Sequence, residues 1–592
     1  MALETDSKLK NLTSGALLEI PKYQADILEL KKEIGKLGQG AISEDDFKKY
    51  RLQRGIYGQK QKPNIQMVRV KIPWGRLTSD QALVLAEISD QFAGEDRVGI
   101  SHVTTRQDIQ FHFVKLEKIP ECMSRLAEAG LTTREACANT VRNVTADPLS
   151  GVAQDEIFDV SPYAEACARF FLRNPVCQNL PRKFKIAFSA SVADRGLIPM
   201  HDLGCLAEIK KINGKEIRGF KIYVGGGLGS YPKVARTLED FTPISDFLRT
   251  IHATIFIFNR DWDYGRKYRN MARIKFLIEK IGLDEFKKRV LEIRETLKNN
   301  SYPEIELFEE SQPQTSTPYL TEAPDSEYLR WKSTNVMGQK QKGYNIVTIR
   351  LPLGDIHSSQ LRALAELVEK FGNGYLYTSV QQNLIARWIK DELLYTFYQG
   401  LKSAGIHLPS AERLADITCC PGGDTCQLGI TSSRGLATAL AKLFNNGLAQ
   451  DADLKDLKIK ISGCPNSCGQ HHIADIGFYG GSKAVGGHQV PTYTMLLGGN
   501  LNLEETKYAS QFLRVPAKKI PLVVEKLLTL YKQNKKEQEK FKEFVSRVGF
   551  DFLRLNLEPL SVLPETLDAQ FYSDWGEPGE FKLNLGKGEC AA

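Results

Sequence analysis

The chain lacks the long apolar run that a membrane-spanning helix needs, since nowhere in its 592 residues do eighteen apolar residues follow one another. It opens Met1-Ala2-Leu3-Glu4-Thr5-Asp6 with no apolar signal segment, so a reducing, cytoplasmic setting is expected. A large excess of charge of one sign is missing too. The 79 Lys and Arg against 71 Asp and Glu leave +8, which argues against a nucleic-acid reader and suits a small acidic protein partner. No G-x-G-x-x-G fingerprint follows a strand as a nucleotide site would require. Seven of the 11 cysteines (122, 137, 167, 177, 205, 419 and 590) are scattered without a framework spacing, which argues against a disulfide scaffold.

The other four cysteines are patterned. Cys420 and Cys426 stand in Thr418-Cys419-Cys420-Pro421-Gly422-Gly423-Asp424-Thr425-Cys426, and Cys464 and Cys468 in Ser462-Gly463-Cys464-Pro465-Asn466-Ser467-Cys468-Gly469-Gln470. A C-x5-C pair followed by C-x3-C suits four thiolates around an iron–sulfur cubane, with Gly and Pro letting backbone amides approach the sulfurs. A structural zinc site competes, but zinc modules space their first pair more tightly.

Residues 462 to 478, SGCPNSCGQHHIADIGF, closely resemble the cluster motif of the sirohaem-containing sulfite and nitrite reductases. The resemblance implies that Cys420, Cys426, Cys464 and Cys468 bind a 4Fe-4S cluster and that the Cys468 thiolate also bridges to the sirohaem iron. Cys419 offers a competing C-x6-C ligand, and the family spacing selects Cys420.

An internal repeat is legible without any family. Gly58-Gln59-Lys60-Gln61-Lys62 recurs as Gly338-Gln339-Lys340-Gln341-Lys342. The alternating strand positions Val68, Val70 and Ile72 recur as Val347, Ile349 and Leu351, and the helical positions Leu85, Ile88 and Phe92 as Leu364, Leu367 and Phe371. Lys185-Ile186 to Ser189 pairs with Lys458-Ile459 to Ser462, Asp202-Leu203-Gly204 with Asp475-Ile476-Gly477, and Gly225-Gly226 with Gly498-Gly499. Two interleaved segments per copy predict an α+β, pseudo-two-fold body rather than a solenoid. The resembling family implies paired ferredoxin-like and mixed α/β units. The expected boundaries are an arm at 1–50, a first ferredoxin-like half at 51–150 and a first α/β unit at 151–303. A linker at 304–330, a second half at 331–410 and a cluster-bearing unit with closing helices at 411–592 follow.

The copies differ where chemistry is expected. Arg69 has Thr348 as its counterpart, Lys183 has Asp456, and Arg142 is a further cation of the first copy. Lys183 and Lys185, two apart on a predicted strand, share a face. The resemblance assigns Arg69, Arg142, Lys183 and Lys185 to a pocket for a small oxyanion, where cations offset charge and lysines pass on protons. Thr104-Thr105-Arg106-Gln107-Asp108-Ile109-Gln110-Phe111-His112 resembles the motif that holds the sirohaem carboxylates, which implicates Arg106, Gln110 and His112. In the second copy Val380 is read as replacing the arginine, with Gln381 and Asn383 facing the macrocycle. Cys137 lies near a position where some relatives cross-link a cysteine to a tyrosine; Tyr57 and Tyr50 are the neighbours available, and an ordinary reduced thiol is expected.

The resemblance therefore implies six-electron reduction of a small oxyanion, with ferredoxin as donor and a flavoprotein subunit as the alternative. Lys183-Phe184-Lys185 favours sulfite to sulfide, because nitrite-specific members tend to carry Asn at the second lysine. The Gly469-to-Phe478 segment looks nearer to the nitrite reductases, so nitrite to ammonia stays open. A cobalamin-synthesis relative and a non-catalytic cluster scaffold are the more distant alternatives.

Overall fold

The computed structural model describes residues 20–60, 64–307, 324–445, 447–563 and 568–586. Most of the expected linker, 308–323, lies outside the described residues, as do 1–19 of the expected arm and 61–63, which include Gln61 and Lys62 of the first Gly-Gln-Lys-Gln-Lys motif. The rest of the stretch read as an arm folds into two helices, Ile20–Gly38 and Glu44–Gln53. Tyr23, Ile27, Leu30 and Phe47 on them are buried in the core, which holds both against the body.

The first copy contributes β1 (Ile56–Gly58), β2 (Ile65–Val70), β3 (Arg76–Thr78), β4 (Ile100–Val103) and β5 (Ile109–Lys115), then β6 (Val141–Ala146), β7 (Phe184–Ser189), β8 (Leu203–Ile212), β9 (Lys215–Val224) and β10 (Arg236–Pro243). The second contributes β11 (Val336–Gly338), β12 (Tyr344–Ile349), β13 (Asp355–His357), β14 (Tyr375–Thr378) and β15 (Leu384–Lys390). It continues with β16 (Thr418–Cys419), β17 (Ile459–Ser462), β18 (Ile476–Val485), β19 (His488–Leu497) and β20 (Ser510–Pro516). They form four five-stranded sheets related in pairs.

The ferredoxin-like sheets exchange strands. Their orders are β1-β2-β5-β4-β13 and β11-β12-β15-β14-β3, so β13 of the second copy closes the first sheet and β3 of the first copy closes the second. The crossing follows a tight turn in each copy, where Trp74 (φ 43°) and Leu353 (φ 61°) adopt left-handed backbone. Exchange caps each sheet edge with a strand from the other copy. Val68, Val70, Val347 and Ile349 accordingly join one shared core.

The repeated glutamine of the Gly-Gln-Lys-Gln-Lys motif has a structural task. β5 and β15 each contain a left-handed residue, Phe113 (φ 58°) and Trp388 (φ 63°), whose N–H leaves the ladder. Gln59 Oε1 accepts from Phe113 N and Gln339 Oε1 from Trp388 N, both at 2.5 Å.

The α/β sheets share one topology, with three parallel strands followed by two antiparallel ones. Their registers coincide: Ala146 is opposite Phe188 as Cys419 is opposite Ile461, and Ser189 is opposite Leu206 as Ser462 is opposite Tyr479. Lys185 N donates to Asp202 Oδ2 at 2.9 Å and Lys458 N to Asp475 Oδ2 at 2.8 Å, so the repeated aspartates hold equivalent strand starts. Two helices, Ile520–Asn534 and Phe541–Ser561, lie at the end of the second unit, where closing helices are expected.

Candidate cofactor and anion site

The thiol array forms where β16 and β17 end. Cys420 follows β16 and Cys464 lies two residues beyond β17, so parallel neighbours deliver both cysteine pairs to one sheet edge. Cys420 and Cys464 are buried, Cys426 and Cys468 exposed. Gly463 N donates to Cys420 Sγ at 3.2 Å and Asn466 Nδ2 to Cys464 Sγ at 3.5 Å. Side chains are excluded from the surrounding loops. A Cβ at Gly469 would lie 1.9 Å from Ile461 O, and one at Gly463 would lie 2.6 Å from Gly422 Cα. Burial, then the neighbouring Cys468, Cys420 and Cys426 thiols, push Cys464 up, and burial followed by Cys468 does the same to Cys420. Thiols that oppose one another's ionisation, walled by glycine and facing amide donors, fit a metal cluster that would draw off their protons.

Cys419 points the other way. Its side chain belongs to the hydrophobic core of the second α/β unit, and its N–H donates to Gln382 Oε1 at 2.9 Å. It corresponds to Ala146 of the first copy, whose N–H donates likewise to Gln107 Oε1.

The first copy clasps the last cysteine. Thr105 Oγ1 donates to Cys468 O at 2.9 Å, and Gln470 Nε2 donates to Thr105 O at 3.2 Å. Next to Thr105, Arg106 is densely surrounded yet keeps part of its surface accessible, as expected for a side chain lining a recess. Burial, then Arg273, lowers its pKa to about 10, while Asp202 and Cys468 pull the other way. Lys185 lies in the same electrostatic neighbourhood: burial, Arg106, Lys183 and Arg273 together hold it well below an ordinary lysine. β7 begins at Phe184, so Lys183 sits just ahead of the strand and only Lys185 lies within it.

Arg69 and Arg142 converge independently. Both guanidinium groups donate to Ala136 O, at 3.2 and 3.1 Å, and to Tyr57 OH, at 3.5 and 3.2 Å. Gln110 stands opposite Arg69 in the β2–β5 ladder, and with its amide oxygen turned inward it accepts from Arg69 Nη2 at 2.6 Å and Nε at 2.8 Å. Buried Asp108 joins the two groups of cations. It is within electrostatic reach of Arg69, Lys71 and Arg142, and it is one of the charges acting on Arg106. Tyr57, rather than Tyr50, packs with Cys137, in a small cluster with Leu52 and Met67.

Three carried-over residues take other partners. His112 meets Gln59 Nε2 at 3.3 Å and the His102 ring at 6.0 Å. Asn383 Nδ2 donates to Asp416 Oδ2 at 2.6 Å and its Oδ1 accepts from Leu351 N at 2.9 Å. Gln381 Oε1 accepts from Lys460 Nζ at 2.6 Å. The reading of Val380 as the arginine's counterpart needs correction. Thr104 N donates to Asp108 O and Gln107 N to Thr104 O, and Ser379 N donates to Asn383 O and Gln382 N to Ser379 O. Arg106 therefore matches Gln381, and Val380 matches Thr105; the segment from Phe371 to Ser379 is shorter than its counterpart from Phe92 to Thr104, and that difference in length shifts the pairing.

Sequence reasoning missed Arg273, which grips Asp202 through two bonds at 2.7 and 2.9 Å, and Lys275, whose pKa burial, then Arg273, lowers to about 7. It also missed buried His201, which contacts Arg106. Arg273 and Lys275 lie beside Gly227: a Cβ there would be 3.4 Å from Arg273 Nη2 and from Lys275 Nζ. Both stand far along the chain from the repeated Gly225-Gly226 and meet it only in the fold, so no sequence signal marked them. So many cations beside a glycine-lined edge suit a cofactor rich in carboxylates.

Over residues 137–298 and 410–561 the sequence matches the family described as nitrite and sulphite reductase 4Fe-4S domain, and over 57–129 and 337–404 the nitrite/sulfite reductase ferredoxin-like half domain. The chain belongs to the nitrite and sulfite reductase family. It is an oxidoreductase whose cofactors are sirohaem and a 4Fe-4S cluster. Relatives include a sulfite reductase (ferredoxin) of Mycobacterium tuberculosis strain H37Rv, 29% identical over 82% of this chain and 83% of the relative. An assimilatory ferredoxin-dependent nitrite reductase of Haloferax mediterranei is 27% identical over 88% and 89%. The solved structure of the Mycobacterium tuberculosis NirA protein aligns with TM-score 0.73 and 26% identity, covering 87% of this chain and 92% of that one. Family membership carries the duplicated α+β fold with it. No described helix is long and apolar enough to cross a membrane.

Proposed function

We propose that this family member reduces sulfite to sulfide, taking electrons from ferredoxin, with nitrite to ammonia as the second reading. In this reading Cys420, Cys426, Cys464 and Cys468 hold the 4Fe-4S cluster and Cys468 faces the sirohaem. Sirohaem, when bound, supplies the iron that takes the oxyanion and the route by which electrons reach it. Arg106, Arg273 and Lys275 hold its carboxylates, and Gln110 holds Arg69 in place.

The chain's own groups would handle charge and protons. Arg69 and Arg142, pinned by Ala136 and Tyr57, present fixed guanidinium groups that offset a small anion's charge without rearranging. Lys183 and Lys185 complete the pocket, and a lysine whose proton is destabilised by burial and by cationic neighbours is a ready donor as each oxygen leaves as water. The observation that carries the preference for sulfite is Lys185 beside Arg106, because an amino group there can take up and pass on protons at a sulfite dianion, where nitrite-specific members tend to carry Asn. The nitrite reading draws on the Gly469-to-Phe478 loop and on relatives named for both substrates.

The test is steady-state turnover with reduced methyl viologen, comparing kcat/KM for sulfite and nitrite in the native chain and in Lys185→Asn. Sulfite preferred, with a larger loss for sulfite in the variant, supports the reading; nitrite preferred with equal losses overturns it. A ferredoxin donor predicts turnover with reduced ferredoxin that falls as salt rises.

A further inference from the structure

The match to the family's 4Fe-4S domain ends at residue 561, but the chain continues, and residues 568–586 fold back across the loop that carries Cys420 and Cys426. This strap touches the loop and the helix that follows it, Ser433–Phe444, at four places. Asp574 Oδ2 accepts from Ser432 N at 2.7 Å. A Cβ at Gly435 would fall 2.0 Å from Trp575 O, so glycine is what allows the strap to approach. Glu577 lies beside Gly423. Gly586 N donates to Gln427 O at 3.0 Å, next to Cys426.

The strap is anchored from below. Trp575 Nε1 donates to Ala517 O at 2.7 Å, Lys518 Nζ donates to Asp574 O at 3.0 Å, and the Lys518 ammonium lies 4.4 Å from the Trp575 ring centroid. Asp574 is 1% exposed, which makes its carboxylate an interior group rather than a surface charge. The residues it fixes lead to the cluster. Tyr493 OH donates to Ser432 O, and the next residue, Ser433, donates from its hydroxyl to Cys420 O at 2.6 Å and lies 3.4 Å from Cys420 Sγ.

We propose that Asp574 is a positioning residue of the 4Fe-4S cluster, acting through Ser432 and Ser433 on Cys420, and that the strap clamps the ligand loop. The inference rests on Cys420 and Cys426 being ligands. Loss of the clamp leaves the sirohaem cations Arg106 and Arg273 untouched, because they belong to the first copy.

The experiment uses the full-length holoenzyme with Asp574→Ala, Asp574→Asn and Gly586→Pro, alongside Cys420→Ser. Acid-labile sulfide per sirohaem, the reduced-cluster EPR spectrum and the rate of sulfide loss in air are recorded. Asp574→Ala is expected to shift the EPR spectrum and lose labile sulfide on the order of tenfold faster, the equivalent of one lost charge-assisted hydrogen bond. Asp574→Asn, which keeps an acceptor, restores most of the difference, and Gly586→Pro, which removes the bond to Gln427 O and sets a Cβ against the Gln427 side chain at the far end of the strap, gives a smaller acceleration. A lower Tm with unchanged labile sulfide, EPR spectrum and loss rate overturns the clamp. Should Asp574→Ala not fold, an unchanged Gly586→Pro overturns it. Retention of a full cluster by Cys420→Ser would instead overturn the ligand assignment.

Discussion

In the first copy Arg195 Nε lies 3.3 Å from Asp147 Oδ1, and the shared strand registers make these two positions the equivalents of Cys468 and Cys420. Ser191, at the Cys464 position, donates to Asp155 Oδ2 at 2.9 Å, and Ala153 stands at the Cys426 position. The duplicated fold thus presents the same loops twice, tied by an ion pair in one copy and lined with thiols in the other.

Arg195→Met should therefore destabilise the protein by ~3 kcal/mol, since it strips a partner from a carboxylate with no exposure. Asp147→Asn combined with Arg195→Met should recover much of the loss. A double-mutant cycle by urea unfolding measures the coupling, and strict additivity would show that the pair carries nothing.

Cys419→Ala should keep the cluster at a small cost in stability, because the Cys419 thiol packs into the core. Cys420→Ser should lose it. Labile sulfide per chain distinguishes them, and the reverse pattern would move the ligand to Cys419.

Thr105→Val keeps the side-chain volume but removes the donor to Cys468 O. Losing that bond at a partly exposed carbonyl costs ~1 kcal/mol, here concentrated on the loop that carries Cys468. A shift in the visible spectrum with both cofactors still bound is the expected outcome; an unchanged spectrum would mean that Gln470 alone holds the clasp.

Asp108 makes stability pH-dependent. Burial raises its pKa to about 6, while Arg69, Lys71 and Arg142 pull it down. The native state therefore holds a proton between roughly pH 4 and pH 6 that the unfolded chain has released, so this residue's contribution falls as pH rises through 6. Asp108→Asn should stabilise the protein at pH 8 by up to ~3 kcal/mol and make no difference near pH 4. Thermal melts across that range check it, and a constant difference would show that Asp108 does not titrate there.

Much of this was legible in the chain. The array of Cys420, Cys426, Cys464 and Cys468 could be read because its cysteines come in local pairs bracketed by the glycines that let backbone approach. The repeat could be read because burial imposes the same period on Val68, Val70 and Ile72 as on Val347, Ile349 and Leu351. The cations were legible only as an asymmetry between copies: Arg69 stood out against Thr348 and Lys183 against Asp456, whereas Arg273 and Lys275 had no counterpart to mark them. The counterpart of Arg106 was misplaced by one residue because aligning letters cannot place a difference in loop length that the hydrogen bonds of a turn reveal.

The sequence by itself determined the duplication, the thiol array and the chemistry that array can hold, since each is written in residues within a turn or a strand of one another. Only the tertiary structure decided that β3 and β13 trade sheets, that Thr105 clasps Cys468, that Asp147 and Arg195 occupy the thiol positions of the other copy, and that Asp574 reaches back to Ser432. Each of those joins groups distant along the chain or compares copies after folding. A single polar side chain leaves no periodic trace of the partner it will find.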